Sequence, residues 1–137
     1  MATDLRDVIR AGLDAWSRGD LKNTVAAFDP GIEFATSGIY PGLEPVYRGH
    51  DGFQRFWKDF RGTWDDIVIE VDQIVAGGQD LYAMAGRFVA TGRNGIAVER
   101  PLGMLFRMQG DAIAEITSFG SGEEALRAAG AEASGYR

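Results

Sequence analysis

Tyr47-Arg48-Gly49-His50-Asp51-Gly52-Phe53-Gln54-Arg55-Phe56-Trp57-Lys58-Asp59-Phe60 is the stretch on which the reading of the fold turns. Phe53, Phe56, Trp57, Phe60 and Trp64 recur at i, i+3, i+4, i+7 and i+11, which is one stripe along a helix. An edge this aromatic has to lie against a large apolar partner. The chain supplies one after Gly62, where the hydrophobic period changes from helical to alternating.

Ile67, Ile69 and Val71 alternate with Val68, Glu70 and Asp72, a strand that runs to a four-residue turn, Gly77-Gly78-Gln79-Asp80. Leu81–Thr91 is the second long strand, and Gly92-Arg93-Asn94-Gly95 turns it with an Asn-Gly hairpin signal. Residues 97–108 form the third, Gln109-Gly110-Asp111 turns again, and Ala112–Phe119 is the fourth. Ser121-Gly122-Glu123-Glu124 reads as a capping box before a short helix over 125–129, stopped by Gly130.

Upstream of the aromatic stretch, Leu5, Val8, Ile9, Gly12, Leu13 and Trp16 give residues 4–18 the pattern of an amphipathic helix with Thr3 placed to cap it. Gly19 ends that helix and Asp20 caps a second over 21–28, which stops at Asp29-Pro30 because the residue before proline avoids helical angles. Residues 32–36 read as a brief strand. Residues 37–48, broken by Gly38, Pro41, Gly42 and Pro45, read as an irregular loop over the surface or over a cavity mouth.

Helices first and strands afterwards specify an α+β domain in which helices pack on one face of a curved antiparallel sheet. With 137 residues the chain needs only one core; residues 1–130 are read as a single domain and 131–137 as a loose tail. A formal charge of −6 with singly scattered basic residues argues against nucleic-acid and membrane-surface partners. The absence of cysteine removes disulfides, thiolate metal sites and cysteine nucleophiles. The first residues lack the pattern of a signal peptide, no stretch is apolar enough for a membrane span, and a cytoplasmic location is expected.

The element order, the Tyr47-Arg48-Gly49-His50-Asp51-Gly52-Phe53 opening of the third helix, the Gln109-Gly110-Asp111 turn and the closing Glu124-Ala125-Leu126-Arg127-Ala128-Ala129-Gly130 resemble the SnoaL-like polyketide cyclase family of the nuclear-transport-factor-2-like superfamily. The resemblance implies a cone-shaped, cystatin-like fold with three N-terminal helices on the concave face of the sheet. It also implies an apolar pocket between them and a homodimer through the outer sheet face. Members include isomerases, cyclases, epoxide hydrolases, dehydratases and non-catalytic binding modules, so the likeness says more about fold than about chemistry. Where ketosteroid-isomerase relatives keep an acidic oxyanion donor and a base, this chain has Met104 and Phe34 or Ala35, which argues against that activity.

Three residues are candidates for catalysis. If the Gly110 turn has two residues, Met104, Phe106 and Met108 share a face with Ile113, Glu115, Thr117 and Phe119. Glu115 is then a carboxylate in apolar surroundings, tuned by desolvation; with a three-residue turn it is solvated or paired instead. Arg87 stands among small apolar residues in mid-strand, with Glu99 a plausible cross-strand partner. His50, the one histidine, is a potential base or merely a residue of a helix start. It has no neighbouring cluster, so no metal site is expected, and no cofactor is expected, since no phosphate loop or nucleophile elbow is present.

Trp16, Tyr40, Phe53, Trp57, Met104, Phe106 and Phe119 are the residues expected around a pocket suited to a hydrophobic, ring-bearing small molecule. Two functions are consistent with this: cofactor-independent acid-base chemistry (isomerase, cyclase or hydratase/hydrolase), or non-catalytic ligand binding, dimerisation or adapter work. A titratable group projecting into the pocket separates the two.

Overall fold

The structure is a computed structural model that describes residues 4–36, 43–61, 64–92 and 94–133. Helix α1 (Leu5–Ser17) buries Ile9, Leu13 and Trp16 along one side. Its start is capped by Asp4, whose carboxylate accepts from the Arg6 amide; Thr3, expected in that role, lies outside the described residues. Gly19 turns the chain at φ 75°, and the Asp20 carboxylate accepts from the Asn23 amide at 3.1 Å to open α2 (Leu21–Ala26). The Asn23 side-chain amide also donates to that carboxylate, at 2.6 Å, and together the two hydrogen bonds hold the Asp20 carboxyl below the usual carboxylate range.

Strand β1 (Phe28–Ala35) starts four residues earlier than the sequence pattern indicates. Sheet pairing takes the chain over: the Ile113 amide donates to the Ala27 carbonyl at 2.8 Å, and Phe28 stands opposite Ile113. Pro30 falls where the register shifts between Phe28 and Glu33, so its missing N–H interrupts no regular ladder. The expected loop of residues 37–48 is also partly strand. Val46–Arg48 form β2, antiparallel to β1 with Tyr47 opposite Phe34, because the Thr36 amide donates to the Pro45 carbonyl at 2.9 Å.

Helix α3 (Gly49–Arg61) buries Phe53, Phe56 and Phe60. It ends at Arg61, so Trp64 packs on the core from beyond the helix rather than along its stripe. Strands β3 (Asp66–Gly78), β4 (Leu81–Thr91), β5 (Ala97–Gln109) and β6 (Ala112–Phe119) complete a six-stranded curved sheet of order β2-β1-β6-β5-β4-β3. All its pairings are antiparallel except β1 with β6. The β3–β4 turn is two residues long, not four, since Gly78 pairs with Leu81 and Asp80 takes φ 60°.

The β5–β6 hairpin decides which side chains face inward. Its turn does have two residues, Gly110 at φ 64° and Asp111, with Gln109 opposite Ala112. Met108 pairs with Ile113, but Arg107 pairs with Glu115, leaving Ala114 as the extra residue of a bulge. Since strand side chains alternate, one extra residue moves everything after it to the other face. Ile116 and Ser118 therefore stand opposite Phe106 and Met104, in place of Glu115, Thr117 and Phe119.

Helix α4 (Gly122–Ala133) opens with Ser121 accepting from the Glu124 amide at 3.2 Å. It continues through Gly130, where the sequence reading ended the helix and began a tail: one glycine costs a helix only about 1 kcal/mol. Unlike α1–α3, it packs on the outer face, where Ala125, Ala129 and Leu126 meet Ala83, Leu105 and Phe119. The approach is so close that a Cβ on Gly103 would collide with the Ser121 carbonyl oxygen. The fold is thus α+β, and the described residues form four helices, three on one face of the sheet and one on the other.

Candidate functional site

The inner face of the sheet is built in rows by strand register. One row runs Phe34, Ile116, Phe106, Tyr82; the next runs Ser118, Met104, Met84, Ile74. Apart from the half-buried Tyr82, all of these are buried. Over them α1 places Trp16, and α3 places Phe53, Phe56, Trp57 and Phe60.

Trp16 is the centre of this layer and is 1% exposed. Its ring meets Phe34 at 5.9 Å, Phe53 at 5.4 Å and Phe56 at 5.8 Å, all edge to face, and Trp57 at 6.2 Å in a tilted arrangement. Edge-to-face pairs set the positive rim of one ring against the negative face of another, worth about 0.5–1.5 kcal/mol each beyond area burial. Trp57 is half-buried and carries the Arg61 guanidinium 4.9 Å from its ring centre, while Arg61 Nη1 donates to the Trp16 carbonyl at 3.4 Å. The side chains of α3 are thereby tied to the end of α1. Among the described residues, Trp16 Nε1 is the one buried side-chain nitrogen or oxygen with no hydrogen-bond partner.

The structure brings five of the seven expected pocket residues into one apolar cluster: Trp16, Phe53, Trp57, Met104 and Phe106. Phe119 is not among them. The bulge turns it to the outer face, under α4. Tyr40 lies outside the described residues. Of the catalytic candidates, none is brought into the cluster. Glu115 stands on the outer face, half exposed, 3.7 Å from Arg107. Arg87 is on the same face, where its guanidinium gathers Glu70 at 2.9 Å, Asp72 at 3.2 Å and Glu99 at 3.4 Å. Hydrogen bonding to Glu70 and the charge of Asp72 raise its pKa further above the usual arginine value. His50 stands at the start of α3 with Nε2 3.1 Å from the Phe28 carbonyl oxygen.

Other polar groups at the site escaped the sequence reading. Thr36 and Ser118 are fully buried on the inner side, and the Thr36 hydroxyl donates to the Glu44 carbonyl at 2.8 Å. Tyr47 is buried with its hydroxyl accepting from the Glu44 amide at 3.1 Å and donating to Asp59 at 3.5 Å. Burial pushes the Tyr47 phenol upward, with the nearby carboxylates of Asp59 and Glu44 adding to it. Arg55 stacks over the Tyr47 ring at 5.4 Å and holds both oxygens of Glu44 at 3.2 Å. This set fastens residues 43–45 to α3. The signal that could have found it is modest: Arg55 and Asp59 are four apart on the helix face next to an aromatic strand.

No group of three or more metal-ligating side chains is assembled among the described residues. None of their helices is long and apolar enough to cross a membrane.

The sequence profile of the SnoaL-like domain family matches residues 9–116. No curated protein matches the chain at a significant level. Among solved structures, the chain is similar to an NTF2-like protein of unknown function from Burkholderia pseudomallei K96243, at 20% identity and TM-score 0.77, over 91% of this chain and 96% of that one. It is similar to TerC, co-crystallised with polyporic acid, at 15% identity and TM-score 0.76, over 90% and 98% of the two chains. A protein with a ketosteroid isomerase-like fold from Catenulispora acidiphila DSM 44928, in complex with trimethylamine, superimposes with TM-score 0.73 at 12% identity, over 96% and 94%. At these identities the likeness concerns the fold.

Proposed function

The chain belongs to the SnoaL-like domain family, and on that premise we propose that it binds a small, hydrophobic, ring-bearing molecule between α1, α3 and the inner face of the sheet. The observation that supports this reading is the composition of the cluster where α1 and α3 meet the sheet: Trp16, Phe53 and Trp57 from the helices, Met104 and Phe106 from the strands. Aromatic and thioether surfaces suit a flat apolar ring and offer little to a sugar or nucleotide. That TerC was crystallised with polyporic acid supports a small-molecule role for the fold.

Binding is favoured over acid-base catalysis by Glu115, Arg87 or His50. Two of these project from the outer face, and the third lies against the Phe28 backbone. A general acid or base has to reach the reacting atoms directly or through one water. The test is a thermal-shift panel of naphthalene-type compounds, sugars and nucleotides, repeated on the combined Glu115→Gln, Arg87→Ala and His50→Ala variant, with mass spectrometry of the incubated compounds. Stabilisation by the naphthalene compounds alone, retained in the variant and without conversion, is expected; at a hundredfold excess over Kd it amounts to about 2.7 kcal/mol. Stabilisation by sugars or nucleotides, or turnover lost in the variant, would contradict the reading.

A further inference from the structure

Trp16 poses a question that packing alone does not answer. A phenylalanine in its place would satisfy the ring contacts to Phe34, Phe53, Phe56 and Trp57 without burying a hydrogen-bond donor. The indole N–H is buried and unpartnered, a costly state that native proteins rarely keep, since a buried tryptophan normally finds an acceptor. The side chains ringing it are aromatic and offer no strong acceptor. Thr36 spends its hydroxyl hydrogen on the Glu44 carbonyl and the Trp16 carbonyl accepts from Arg61, and neither oxygen is bonded to the indole N–H.

We infer that the Trp16 indole N–H is the polar anchor of the binding site, and that the ligand is an aromatic molecule bearing a neutral carbonyl-type oxygen. The inference rests on the binding reading above and adds the ligand's chemistry to it. Indole N–H donates and cannot accept, so its partner must present a lone pair, which excludes pure hydrocarbons and ammonium groups from this position. The acceptor is neutral because the four rings that meet the indole, Phe34, Phe53, Phe56 and Trp57, carry no charge, the nearby Arg61 being directed at the Trp16 carbonyl and the Trp57 ring, and a buried unpaired carboxylate is far more costly than a buried ketone. Trp57, half-buried beside Trp16, marks the side from which the ring system approaches, and Arg61 holds Trp57 from its outer surface.

The experiment compares β-acetonaphthone with β-isopropenylnaphthalene, in which a methylene replaces the oxygen on the same frame, while the indole N–H resonances of the three tryptophans are followed by proton–nitrogen correlation spectroscopy. Trp16 is assigned by the signal lost in Trp16→Phe or, should that variant not fold, by elimination with Trp57→Phe and Trp64→Phe. The expected result is a downfield move of the Trp16 indole proton with the ketone and not with the hydrocarbon. The ketone should also bind about five- to tenfold more tightly, the yield of one net hydrogen bond, and this preference should vanish in Trp16→Phe. Equal binding of the two with an unmoved indole proton overturns the inference and leaves the binding reading standing. If neither compound binds, the binding reading fails and the inference falls with it.

Discussion

Replacing Ile116 and Glu115, neighbours on β6, by alanine in separate variants tests the bulge that sets the inner face. Ile116 is 2% exposed and stands opposite Phe106, whereas Glu115 is half exposed on the outer face, 3.7 Å from Arg107. Truncating a fully buried isoleucine removes its apolar transfer energy and leaves a cavity, together about 3 kcal/mol. For a domain of this length that lowers Tm by roughly 10 °C. Removing one member of an exposed, loosely paired ion pair costs about 0.5 kcal/mol or less. Urea unfolding of both variants, with the m-value checked for constancy, gives the two numbers directly. Without the bulge the two residues would exchange faces. A large loss for Glu115→Ala together with a small one for Ile116→Ala would therefore refute the register, and with it the placing of Glu115 away from the site.

Gly103→Ala is expected to destabilise by about 1–3 kcal/mol, because its methyl collides with the Ser121 carbonyl and Ala125; hydrogen exchange should show faster opening over 122–130, and unchanged protection there would contradict the close docking of α4. Tyr47→Phe should cost about 1 kcal/mol by removing the acceptor of the Glu44 amide, a net hydrogen bond. Tyr47 also predicts a pH dependence: its folded pKa is raised, so this contribution is complete below the unfolded value of about 10 and is lost as pH rises through the folded pKa. Urea unfolding between pH 8 and 11 should therefore show a steeper alkaline decline in the native protein than in Tyr47→Phe, and parallel curves would refute the assignment. Arg87→Ala leaves Glu70, Asp72 and Glu99 facing one another, so its Tm deficit should shrink as salt is raised to about 1 M, where charges are screened beyond ~3 Å; a deficit indifferent to salt would show that packing, not charge, sets the role of Arg87.

The architecture was legible because periodicity is a property of many residues at once. The stripe of Phe53, Phe56 and Phe60 and the alternation along β3 each repeat a signal several times, and the structure buries those side chains together. What depended on a single residue was not legible. Ala114, small and unremarkable in sequence, is the bulge that turns Glu115 and Phe119 outward even though the turn has the two residues that would have set Glu115 inward. Phe28 became strand because Ile113, far along the chain, captured the Ala27 carbonyl, a tertiary pairing that local preference cannot anticipate. Trp16, Phe53, Trp57 and Phe106 were recognisable as bulky apolar residues on core-facing stripes. The unpaired indole of Trp16 was not, since a missing partner is defined by everything around it.

The four methionines offer the most direct measurement of the central claim, that a ring-bearing molecule lodges against the inner face of the sheet. Met84 and Met104 lie side by side in one inner row, fully buried, while on the outer face Ala83 of the sheet meets Ala129 of α4. A bound aromatic ring shifts the resonances of methyl groups it covers. With methyl-labelled methionine and alanine, titration with β-acetonaphthone should move the Met84 and Met104 methyl signals and leave those of Ala83 and Ala129 in place. Movement of the alanine signals with the methionines unchanged would place the ligand on the wrong side of the sheet and contradict the account.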